Sequence, residues 1–145
     1  MRRMTMSILA AVCIAWTTGV AKAAETSVKT LPPSVVKTVP QAGDTEVAPS
    51  TKEIRVTFSK DMTTKNMWSV CQVSAETFPE FNGKIHYLDD KRTCVIPVKL
   101  ESGKTYVIWF NTEKHNNFRD AENNPSVPYL LVFETKKQGG AGGDK

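Results

Sequence analysis

From residue 35 onward the chain alternates apolar and polar positions in short runs, and the alternation has a period of two. In Glu53-Ile54-Arg55-Val56-Thr57-Phe58, the residues Ile54, Val56 and Phe58 point one way while Arg55 and Thr57 point the other, as in a strand with one buried face. Six further segments have strand character: Val35 to Val39, Trp68 to Val73, Gly83 to Leu88, Thr93 to Leu100, Thr105 to Asn111 and Tyr129 to Thr135. Turn-forming residues separate them, and Asp89-Asp90-Lys91-Arg92 reads as a hairpin tip. In the run from Thr93, Cys94, Ile96 and Val98 share a face; Pro97 has no amide proton, which predicts a sheet edge or a bulge there. The last two runs are apolar in both phases: Tyr106, Ile108 and Phe110 against Val107 and Trp109, and Tyr129, Leu131 and Phe133 against Leu130 and Val132. That predicts central strands or a face that something else covers. No long window beyond the amino-terminal leader sustains a helical period, and only Asp61 to Asn66 is predicted to make a single helical turn. Short strands, regular turns and one-domain length give an all-β, two-sheet sandwich of about seven antiparallel strands.

The leader changes what the composition means. Arg2 and Arg3 precede an apolar run, Met6 to Val20, that ends at Ala21-Lys22-Ala23, the pattern of a signal peptide over residues 1–23 cleaved after Ala23. A lipid anchor at Cys13 fits poorly, because Val12 stands where a small residue is needed. The predicted product is exported, periplasmic or extracellular, with no membrane span in the mature chain. Residues 24–33 form an extended leader with little to pack, 34–137 the domain, and 138–145 a flexible Gly-rich tail. Of the 19 basic residues, Arg2, Arg3 and Lys22 fall in the signal, leaving 16 against 15 acidic ones. Their interleaving offers no clustered basic face, so nucleic acid is not an expected partner.

The candidate chemistry is sparse. Cys71 and Cys94 enter a compartment that permits disulfides, and a bridge would close a loop of about 24 residues, worth about 3 kcal/mol. The alternative is two free thiols: Cys94 lies on the core phase and Cys71 is out of step with Trp68 and Val70. His86 alternates with Ile85 and Tyr87 and is expected to face solvent, and His115 lies in a polar loop. Neither sits in a nucleophile motif, so no catalytic residue is assigned. Two cysteines and two separated histidines do not make a zinc site, and no cofactor is expected. Asp120, Glu122, Asn123 and Asn124 offer oxygen ligands suited to calcium, but without the regular twelve-position spacing they read first as turn residues. Trp68 and Trp109 are the candidate binding residues: exposed, either could anchor a protein partner or stack on a sugar; packed, Trp109 is core.

Leu100-Glu101-Ser102-Gly103-Lys104-Thr105-Tyr106 places a tyrosine at the start of a late strand after a glycine turn, the arrangement of a tyrosine corner, which makes Tyr106 structural. Together with Val39-Pro40-Gln41-Ala42-Gly43, Ile54 to Met62 with its Phe-Ser-x-x-Met end, Asp120 to Pro125, and Phe133-Glu134-Thr135, this motif resembles the bacterial immunoglobulin-like domain first named from surface-layer proteins, the SbsA type. The resemblance runs from Pro33 to Lys137, with Asn123 where the family has glycine. It implies an immunoglobulin-like sandwich acting as a non-catalytic exported module that contacts a protein or a cell-envelope component. A carbohydrate-binding module using exposed Trp68 or Trp109 is the alternative.

Overall fold

The computed structural model describes residues 25–138; the predicted signal peptide and all but the first residue of the Gly-rich tail lie outside them. Eight strands follow in order: β1 (Val35–Val39), β2 (Glu53–Phe58), β3 (Val70–Gln72), β4 (Glu80–Phe81), β5 (His86–Tyr87), β6 (Thr93–Lys99), β7 (Thr105–Phe110) and β8 (Tyr129–Glu134). One sheet runs β1-β2-β6-β4 with β5 also on β6, and the second runs β3-β7-β8. All these pairings are antiparallel, so the chain is an all-β two-sheet sandwich. No helix occurs among the described residues, and none is long and apolar enough to cross a membrane.

The period-two faces meet in the middle. Ile54 and Val56 of β2 lie opposite Ile96 and Cys94 of β6, and in the other sheet Tyr106 and Ile108 lie opposite Phe133 and Leu131. All eight are at most 1% exposed, and each large aliphatic or aromatic side chain so buried contributes about 1.5–3 kcal/mol. Phe118, from the loop after β7, plugs one end of the sandwich, its ring 5.0 Å from Phe58 of one sheet and 6.0 Å from Phe110 of the other.

Three local expectations are corrected. The single strand expected over Gly83 to Leu88 shrinks to β5, and β4 forms earlier, so Pro97 lies in a strand paired on both sides. Val98 N donates to Lys52 O, which fixes the β2–β6 pattern so that the nitrogen of Pro97 points away from β2. It faces the break between β4 and β5, where Gly83 packs against the Pro97 ring; a Cβ at Gly83 would come within 3.0 Å of it. The missing amide thus splits the neighbouring strand in two rather than forcing β6 to an edge. Asp61 to Asn66 forms no helical turn: Met62 instead bridges Asp120. Finally, the segment before β1 is held although Val28 and Leu31 stay exposed. Lys60 Nζ donates to Lys29 O and Leu31 O, and Pro33 O accepts from Val127 N.

Candidate functional site

The two flanks of the sandwich differ, and the difference locates the candidate site. On the β8 flank the chain covers its own edge: Gly43 N donates to Val132 O, Glu134 N to Asp44 O, and Val47 pairs in parallel with Thr135. On the opposite flank, among the described residues, β3 pairs only with β7. The bond from Asn111 N to Ser69 O sets the alternation, so the backbone groups of Cys71 face β7 while those of Val70 and Gln72 face outward. Outward from that edge lies a hollow of about 500 Å³, walled by Trp68, Val70 and Gln72 on one side and by Phe81 and Ile85 on the other. A second hollow of about 370 Å³ adjoins it, sharing Trp68 and Ile85 and reaching Lys65, Asn66, Lys84 and His86.

Trp68 is therefore at the junction of both hollows, half-buried with part of its ring packed on the core. Trp109 is on the outer face of the three-stranded sheet, also half-buried, opposite Leu130 on β8 and beside Thr112, Glu113 and Pro128. The structure does not bring the two tryptophans into one pocket. Cys71 and Cys94 are both free thiols and belong to different sheets. Burial pushes the Cys94 thiol up to about 12, and burial also raises that of Cys71 against the opposing hydrogen bond from Thr112. A thiol held protonated is a poor nucleophile. His115 shares the larger hollow with Cys71 but is exposed in its loop, and His86 is exposed with Nδ1 3.1 Å from Lys84 O.

The loop offered above as a calcium candidate is built as a turn. Asp120 Oδ1 accepts from the amides of Glu122 at 3.1 Å and Asn124 at 2.8 Å, and Oδ2 accepts from Asn124 Nδ2 and from the Lys60 ammonium. Burial is the largest influence on this carboxyl and would raise it, but the hydrogen bonds from Lys60 and Asn124 outweigh it and hold it below the usual carboxylate range. Asn123 takes the left-handed conformation at φ 68°, which asparagine adopts more readily than most residues with a side chain. No group of three or more metal-ligating side chains occurs among the described residues. Tyr106 is 1% exposed and its hydroxyl accepts from Glu101 N at 2.7 Å, so it ties the turn before its own strand.

A family model described as the bacterial Ig-like domain matches residues 29–135. The chain belongs to that family. Two solved structures resemble this Ig-like domain, both of the surface-layer protein SbsC. One comprises its domains 1–6, and the other is the S-layer protein rSbsC(31-844). Each is 17% identical with a TM-score of 0.47, and they cover 77% and 75% of this chain. The chain spans only 14% of each of those proteins. No curated protein matches it.

Two residues that organise the Ig-like domain were not singled out from sequence. Lys60 continues the inward phase of Ile54, Val56 and Phe58, and a cation on a core phase is the signal that marks it. Asn111 is fully buried at φ 61°, donating to Phe118 O and Ser126 O and accepting from Phe118 N, which fixes the loop carrying His115. Nothing in the local pattern distinguishes it from an ordinary strand-end asparagine.

Proposed function

We propose that this Ig-like domain is a non-catalytic exported module, released by cleavage after Ala23, that contacts a protein or another cell-envelope component through the uncovered β3 flank. The observation that carries the reading is the asymmetry of the edges: the chain straps β8 with its own residues and leaves Val70 and Gln72 facing an open hollow. A rigid sandwich with one uncovered edge is suited to presenting a surface. Family membership supports the same reading, and the raised thiols and solvent-facing imidazoles supply no activated nucleophile.

Carbohydrate binding is the second reading, favoured by one observation: Trp68 borders two hollows that also present Asn66, Gln72 and Asn117, amides of the kind that bind sugar hydroxyls. Co-sedimentation of the mature protein with envelope fractions of the source cell, each pretreated with protease or glycosidase, separates the two. Binding that protease abolishes and Trp68→Ala weakens about tenfold supports protein contact, whereas loss on glycosidase treatment alone supports the second reading. No co-sedimentation, or a hydrolytic activity lost in His86→Ala or His115→Ala, overturns both.

A further inference from the structure

We propose that the β3 flank takes an acidic, extended peptide segment as an added strand; the proposal deepens the reading above and rests on it. Three observations converge. First, the outward backbone of Val70 and Gln72 offers two donors and two acceptors at alternate residues, spaced for one extended chain and unpaired within the domain. Second, the space beside that edge is a shallow hollow, with exposed Phe81 and the edge of Ile85 on its far side against which alternate side chains of such a strand can pack. Third, the lining carries charge of one sign. Lys65 and Lys84 line the adjoining hollow that continues from Trp68 and Ile85, and no carboxylate lines either hollow; Glu80 on neighbouring β4 lies outside both and is 3.9 Å from Lys99. An alternating apolar–acidic strand would place its apolar side chains against Phe81 and Ile85 and carry its carboxylates past the lysines. A basic strand would meet like charge.

Short length is a common way to keep an edge from pairing, and β3 has only three residues. Here the groove lengthens the contact beyond those residues, past Trp68 to Lys65, so recognition does not depend on the ladder alone.

The test uses the intact mature protein and three synthetic octapeptides, Val-Glu repeated four times and the same peptide N-methylated on either alternate set of amides, with a Val-Lys octapeptide and polygalacturonate as comparators. Amide shifts and hydrogen exchange of Val70 and Gln72 are followed by NMR. The expected result is binding of the acidic peptide with Kd on the order of 100 µM and protection of both amides. Methylation of one alternate set should weaken binding about tenfold and methylation of the other should leave it unchanged. Lys65→Gln with Lys84→Gln should weaken binding of the acidic peptide about tenfold and flatten its salt dependence. Equal binding of Val-Lys and Val-Glu peptides, or equal effects of the two methylations, overturns strand addition. So does binding of polygalacturonate alone, which would instead assign the groove to a glycan. If envelope fractions still bind while no probe perturbs Val70 or Gln72, the strand proposal falls and the broader function stands; if neither occurs, both fall.

Discussion

The two flanks of the sandwich solve the same problem in opposite ways. Along β8, residues 43–47 bond to the edge through Gly43, Asp44 and Val47, while the segment before β1 is fastened separately by Lys60 and by the Pro33–Val127 bond. Along β3 no segment of the described chain takes that role, and the strand stops after three residues beside a groove. An exposed edge is a hazard that folded proteins remove by covering, charging or shortening it. Covering spends chain and fixes the flank; shortening leaves the outward backbone groups of Val70 and Gln72 without a partner strand among the described residues.

The largest expected effect attacks the fastening of the segment before β1, on the side of the molecule away from the β3 hollow. Asp120→Ala leaves the Lys60 ammonium buried without its counter-ion and should cost about 3–5 kcal/mol in chemical denaturation, with earlier hydrogen exchange at Val127. Acid should do the same reversibly. The folded Asp120 carboxyl is held below its ordinary value, so its stabilisation is complete above the unfolded value near 4. It is lost as pH falls below that through the folded value. A denaturation series from about pH 6 to 2 should show the wild type losing stability there and Asp120→Ala losing less. Gly43→Ala tests the strap itself: φ is 84° and no atom lies within 4 Å of the added Cβ, so the cost of about 1–2 kcal/mol is backbone strain alone. On the other flank Gln72→Ala should change stability by less than about 0.5 kcal/mol, since the side chain is exposed and its backbone bonds to no neighbour. The smallest signal is chemical: alkylation after denaturation without reductant should label both Cys71 and Cys94, and a mass two hydrogens lower than the reduced chain would show a bridge instead.

Much of the core was legible because period-two burial is written directly into residues such as Ile54, Val56 and Phe58 and again into Tyr106, Ile108 and Phe110. The tyrosine turn before β7 and the Asp120 turn were legible for the same reason, since their chemistry is local in sequence. The groove was not. Phe81, Lys84 and Ile85 are separated in sequence from Lys65 and Trp68, and their meeting beside the short strands β3, β4 and β5 is set by tertiary packing that no local pattern carries. Trp68 is a candidate by residue type, and its position between two hollows is visible only once the strands are placed. Trp109 shows the converse: its outward phase was visible, but half-burial on the sheet face follows from Leu130 directly across the ladder.

The parallel run of residues 43–47 beside β8 also has a mechanical meaning. The first strapped segment and the last strand advance in the same direction, joined by bonds from Gly43 to Val132, Glu134 to Asp44, Val47 to Glu134 and Lys136 to Val47. The amino-terminal side is fastened at Pro33 near the start of β8, and Gln138 leaves past its far end beside Ser102. Tension applied through both ends would therefore run along these bonds and strain them together instead of unzipping them singly, so the strap would act as a shear clamp while the β3 groove lies off the line of force.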